Sequence, residues 1–283
     1  MYVQGRDCQI VIKTANRETC IPYSEETIRT DISFLEENPC IEGESAYKGI
    51  KINSGAAGCV IVPPTLATAP LLFYLAMGDL RSSCFVSETR DLHRHTLALV
   101  PTEDSDPFGI VQYRGGECLY YPSCRVKSFE LRILRDETIK LKLDITGKPP
   151  VTTQKAPGGF FGERFMGENV TYKINGIEYN NIYGATLTVQ KEGGTKSKLW
   201  VRRVLLEGAD LPDTIDEFTI TASLLRDKYE ERHFGTFRVT LRGLILKSDE
   251  TSIECADSVI GPLLMLPSSI SMEVFTSGGE GIA

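Results

Sequence analysis

A chain of 283 residues with 41% hydrophobic content can bury a core large enough to fold by itself, as one large domain or two medium ones. The net charge of -7 and a pI near 5.2 argue against broad nucleic-acid binding driven by phosphate neutralisation, so any DNA contact is expected to be local or fleeting. The start, MYVQGRDCQIVIKTANRE, lacks a basic residue cluster followed by an apolar stretch, so no secretory signal peptide is expected.

In chain order, the first predicted element is a strand over 8–13, CQIVIK, with period-two alternation. Residues 25–44 then hold seven carboxylates against Arg29 alone, a net of -6 that makes this segment the acidic pole. Its candidates for contact with a partner are Glu25, Glu26, Asp31, Glu36 and Glu37. One helix is predicted, over 65–77: Thr65 caps it, Leu66, Ala69, Leu72, Phe73 and Ala76 recur at helical spacing, and Gly78 follows its end. This apolar run contains Pro70 and falls short of the roughly 20 residues a membrane span needs, so the reading is of a soluble protein.

A strand over 95–100 follows, then a long hairpin over 124–150. Phe129, Leu131 and Ile133 share one face with Ile139, Leu141, Leu143 and Ile145 after a turn at Arg135-Asp136-Glu137. The opposite face carries Glu130, Arg132, Lys140, Lys142 and Asp144. Val126 is out of phase with Phe129, which predicts a bulge near Ser128 and a twisted, curved sheet. Residues 125–148 hold seven basic groups against four acidic ones, a net of +3, and opposite poles on one chain invite head-to-tail contact.

Residues 147–168 are rich in Pro and Gly and long for a loop in a compact domain. Phe160, Phe161 and Phe165 make this segment either an arm docked on a neighbouring surface or a loop folded over its own core. Further strands are predicted over 185–190, 198–204, 217–224 and 235–246. In the second hairpin Leu187, Val189, Leu199 and Val201 point inward, and Thr186, Thr188, Gln190, Lys198 and Arg202 share the outer face. Residues 111–147 resemble residues 170–208: Val111, Tyr113, Arg114, Gly116 and Tyr120 answer to Val170, Tyr172, Lys173, Gly176 and Tyr179. This is either an internal duplication or the likeness any two hairpins share.

No catalytic set can be assembled, and an enzyme is not expected. There is no G-x-S-x-G, P-loop or G-x-G-x-x-G after a strand. Of the three histidines, His93, His95 and His233, the first two share one side of a strand and could join Cys84 or Asp91 around a metal, but no third ligand has a family-like spacing, so they read as strand or surface histidines. The eight cysteines form no C-x-x-C pair, and reduced thiols are expected even for Cys118 and Cys124, which a turn could bring together. No cofactor is expected.

The order of the pieces resembles the tail tube proteins of long-tailed bacteriophages. It runs from the acidic "SEETIRTDISFLEENPCIEGE" through "AYKGIKINSG", the helix "PPTLATAPLLFYLAMGD" and "HTLALVPTEDSDPFGIVQY" to the strand pair "YPSCRVKSFELRIL" and "ETIKLKLDITG". The strand pair carries the pattern through Tyr121, Pro122, Cys124, Val126, Ser128, Phe129 and Leu131, and the likeness covers roughly residues 24–245. It implies a mainly β fold: a β-sandwich or curved, barrel-like sheet with one flanking helix and two long hairpins, in a single domain. It also implies a virion structural protein whose subunits form hexameric rings stacked into a hollow conduit for DNA ejection. Its partners would be further copies of itself, the tape-measure, baseplate and tail-terminator proteins, and DNA in transit. Its place would be the virion tail, and the host cytoplasm during assembly, with no membrane.

In that frame the outer hairpin residues line either the lumen or a ring-to-ring seam, where they meet the acidic segment of the next copy. The family resemblance implies a negative lumen, whereas these faces read basic, which favours the seam. An inner-tube subunit of a phage-like injection or secretion machine would share the fold. A monomeric β-sandwich that binds carbohydrate or a receptor, with Trp200 and the Tyr-rich 172–183 segment as platform, is the alternative of a different class.

Overall fold

The structure, a computed structural model, describes residues 8–36, 49–86, 91–154, 162–191, 199–207, 215–224, 235–242, 245–248, 263–266 and 269–277. It is mainly β, with one helix and two antiparallel sheets, and no barrel closes among the described residues. The larger sheet is organised by β9 (Glu117–Leu134), an 18-residue strand with two sets of neighbours. Its first half pairs with β8 (Phe108–Arg114), which in turn pairs with β1 (Cys8–Lys13) and through it β2 (Glu18–Ile21), while β11 (Val151–Thr152) lies on its other edge. Its second half lies between β10 (Lys140–Gly147) and β14 (Gly184–Lys191).

Beyond β10 comes β5 (Gly49–Val62), edged by β3 (Glu25–Glu26) and β4 (Arg29–Glu36). Beyond β14 come β15 (Leu199–Glu207), β19 (Leu263–Leu266) and β18 (Ile245–Ser248). The second sheet runs β13 (Ile177–Tyr179), β12 (Val170–Ile174), β16 (Glu217–Ser223), β17 (Thr236–Arg242), β20 (Ser269–Ser277), β7 (Asp91–Leu99) and β6 (Gly78–Val86).

The period-two pattern of the hairpin over 124–150 translates directly into burial. Phe129, Leu131, Ile133, Ile139, Leu141, Leu143 and Ile145 are all buried, and Leu187 and Val189 of the neighbouring hairpin join them. Cross-strand pairing runs from Lys140–Arg132 to Asp144–Ser128 and resumes at Ile145–Val126, so Lys127 is the extra residue and the bulge lies where the phase slip predicted it. Each of the two likened segments opens on a hairpin with a two-residue loop. Gly115-Gly116 (φ 56° and 102°) and Asn175-Gly176 (φ 51° and 81°) are all left-handed, the geometry that suits the twist of paired strands. The segments part company thereafter: β8 and β9 stay in the larger sheet, whereas β12 and β13 belong to the second.

The helix is shorter than predicted. α1 spans Ala69–Met77, Thr68 rather than Thr65 is its N-cap residue, and the Thr65 and Thr68 hydroxyls bond each other (2.9 Å) in the turn before it. Gly78 ends it in a left-handed conformation, as the sequence predicts. Every α1 residue except Tyr74 is buried, because the helix touches β9 of the larger sheet and β6, β7 and β20 of the second. Nine residues are too few to cross a membrane. The strand predicted over 235–246 is two strands in different sheets, β17 and β18.

Phe165 corrects the docking-arm expectation. Its side chain is fully buried, edge-on to Phe237 with ring centroids 5.0 Å apart, and Phe237 in turn meets Phe73 of α1 at 4.9 Å. The backbone there is tied down by Ile139 N–H donating to the Phe165 carbonyl (3.0 Å) and Gly167 N–H to that of Glu137 (2.9 Å). This part of 147–168 therefore folds over its own core. Phe160 and Phe161 lie outside the described residues. Tyr172, one member of the expected aromatic platform, is also core, stacked on Phe218 at 6.1 Å. Phe165→Ala is expected to lower the unfolding free energy by about 3–5 kcal/mol in urea denaturation, the cost of an aromatic-sized cavity; an exposed arm residue would cost under about 0.5 kcal/mol.

Candidate assembly face

The outer face of the two hairpins is a grid. Antiparallel pairing across β10, β9 and β14 sets Lys140, Arg132 and Thr186 in one row, Lys142, Glu130 and Thr188 in the next, and Asp144, Ser128 and Gln190 in a third. The predicted face residues on these three strands are thus brought together, and they are half-buried except for the exposed Arg132. On β15 the register continues to Leu205, Arg203 and Trp200. Arg202 falls at a register shift between the Thr188–Arg203 and Val189–Val201 pairs, so Arg203 is the row partner of Thr188 and Arg202 is the bulged residue. Lys198 lies outside the described residues.

Part of the charge on this grid is paired locally. Ser128 donates its hydroxyl to Asp144 (2.5 Å), whose other oxygen lies 3.6 Å from the Lys142 ammonium. Lys140 donates to Glu137 (2.9 Å), and that hydrogen bond and charge hold the Glu137 carboxyl below the usual carboxylate range. Such exposed pairs stabilise the fold little and shape the potential of the face instead.

One carboxylate of the acidic segment, Glu25, joins this grid. Glu25 is exposed on β3 opposite Ile61, which is opposite Lys142, so it lies two strands, roughly 10 Å, along the same row as Lys142 and Glu130. Glu26, expected beside it as a contact residue, is instead buried: 9% of its surface is exposed. Its carboxylate pairs with Arg114, lies 3.6 Å from Arg29, and accepts from the Gln112 amide (2.5 Å), which accepts in turn from Tyr121 (3.2 Å). Alternation along β3 turns Glu25 out and Glu26 in, where it ties β3 to β8. Asp31 and Glu36 belong to β4, and Glu37 lies outside the described residues.

One residue beneath this face escaped the sequence reading. Lys191 ends β14 on the inward parity of Leu187 and Val189, and only 2% of it is exposed. Its ammonium donates to the Ala76 carbonyl at the C-terminal end of α1 (3.1 Å) and to the Ser105 hydroxyl (2.9 Å), so a cation meets the negative end of the helix. The signal was available: extending the alternation one residue past Gln190 puts a lysine inside.

His95, read as a strand histidine, is buried. Its Nδ1 lies 2.9 Å from the Ser82 hydroxyl and its Nε2 3.3 Å from that of Thr276, and burial, then the nearby His93, pushes its pKa down. Cys84 is paired opposite His93, and no three His, Cys, Asp or Glu side chains among the described residues form a metal-binding group.

Burial pushes the Lys191 ammonium from 10.5 down to about 8. Below that pH both folded and unfolded chains are protonated there; above it the unfolded chain alone keeps the proton until 10.5, so this lysine makes stability rise with pH across the window. Wild type should gain on the order of 3 kcal/mol relative to Lys191→Met between pH 8 and 10.5 in denaturant titrations. Glu26→Gln should cost about 1.5–3 kcal/mol through the charge-assisted hydrogen bonds lost from the buried carboxylate, Arg114 itself being exposed, read by the same method. Comparison of the chain with known protein families finds no matching family model, and comparison with curated proteins finds no match.

Proposed function

We propose that this chain is a structural subunit of a phage-type tail tube, assembling into stacked, hexameric rings around a hollow conduit through which DNA passes. The observation that carries the proposal is the two-faced patch of β10, β9 and β14. One face is the chain's own core, and the other is a grid that carries both signs, with Lys142 and Glu130 side by side in its middle row. A grid of both signs suits repeated contact between identical copies, since a shifted copy can set cations against carboxylates. The sheet edges left open among the described residues also favour neighbours, because such backbone groups are met when copies lie side by side. The order of sequence segments supplies the tail-tube reading itself. Tape-measure, baseplate and tail-terminator proteins would then be its partners and the virion tail its place. An inner-tube subunit of an injection machine is the same reading in another biological context.

Negative-stain electron microscopy beside light scattering tests this. The expected result is rings or tubes with a central hole, shortened or lost near molar salt as screening weakens the charged seam. Arg132→Glu, at an exposed grid position, should reduce tube yield while leaving subunit stability within about 0.5 kcal/mol. A homogeneous monomer at every concentration and salt would overturn the proposal.

A further inference from the structure

β9 is irregular twice within a few residues. The pairs Phe108–Cys124 and Ile110–Tyr121 leave Pro122 and Ser123 opposite Gly109 alone, and Ser123 adopts a left-handed φ of 54°. The second irregularity is the bulge at Lys127. Between them the strand leaves one set of partners for the other, and Ser123, Arg125 and Lys127, spaced by two, line an open cleft of about 790 Å³. Thr146, the cross-strand partner of Arg125, and the buried Lys191 also line it, with Thr102, Ser128 and Gln190.

The charges there are not balanced from within. Arg125 and Lys127 take part in none of the ion pairs among the described residues. The Arg125 Nε–H is buried with no hydrogen-bond acceptor among the described residues, a state whose cost an incoming oxygen would remove. Two carboxylates also line the cleft, but Asp144 is engaged by Ser128 and Lys142, and Glu103 has a partner of its own. An arginine fork beside a flexible ammonium and two hydroxyls is the donor set for a compact, multiply charged oxyanion.

We propose that this cleft binds a phosphate-type oxyanion, gripped by the Arg125 guanidinium and the Lys127 ammonium, with the Ser123 and Thr146 hydroxyls as further donors. The carboxylates at the wall repel a continuous polyanion and leave room for one phosphate group, free or at the end of a larger molecule. The site goes beyond the tube reading and does not require assembly.

The test is calorimetric titration of the full chain with inorganic phosphate against chloride at equal ionic strength, with a short single-stranded oligonucleotide in parallel. One saturable event per chain is expected, about tenfold or more weaker in Lys127→Gln and in Arg125→Gln, and unchanged in Lys140→Gln on the same sheet face outside the cleft. Lys127 is exposed, so its variant reports on binding even if Arg125→Gln perturbs folding. Tighter binding of phosphate than of the oligonucleotide supports the site, whereas tighter binding of the oligonucleotide would place a continuous polyanion in the cleft and overturn it. No saturable binding of either probe, or unchanged affinity in Lys127→Gln, overturns it.

Discussion

The structure depends on one strand having two sets of neighbours. β9 alternates faithfully from Cys124 to Leu134 except at Lys127, and that single extra residue lets its first half serve β8 and β11 while its second half serves β10 and β14. A straight strand of 18 residues would extend roughly 60 Å and could not stay over one core. The irregularities bend it, so Tyr121, Cys124 and Val126 bury in the same cluster as Phe129 and Leu131. The polar residues at the bends are turned to the outside, which is why the cleft lies where it does.

The interior holds more charge than the pattern of strands suggests, and each charge has a mechanical role. Glu26 ties the short β3 to β8 through Arg114 and Gln112, whereas Lys191 ties β14 to the end of α1. Both cost desolvation, so neither is a cheap source of stability. They fix registry instead: an apolar pair would tolerate sliding, but a carboxylate and an ammonium with two or more partners each hold the helix and the edge strand in one arrangement.

How much of this was legible follows from the kind of signal. The buried face of the 124–150 hairpin, its bulge, the glycine that ends α1 and the strand over 8–13 were all carried by local alternation or by residues with a special backbone conformation. Phe165 was ambiguous because a Gly- and Pro-rich context says that a segment is irregular and not what lies beneath it. β5 was read only at its start, since the run Gly55-Ala56-Ala57-Gly58 has little strand propensity and is held by β10 and β4 on either side. The position of Glu25 in the row of Lys142 could not be read at all, because it depends on β5 intervening between segments far apart in sequence.

The place of β20 in the second sheet has a consequence for how the chain comes into being. β20 lies between β17 and β7, and its partner in β7 is some 180 residues earlier, as in the Val274–His95 pair. During synthesis β6 and β7 emerge long before the strand that joins them to the rest of their sheet, so Leu97 and the face around it must wait until residue 277 or so has left the ribosome. Contacts this distant are entropically late and make folding slow. A nascent chain of this protein therefore carries an unfinished hydrophobic edge from the emergence of β7 to that of β20, a period in which it is open to chaperones and to premature pairing with its own kind.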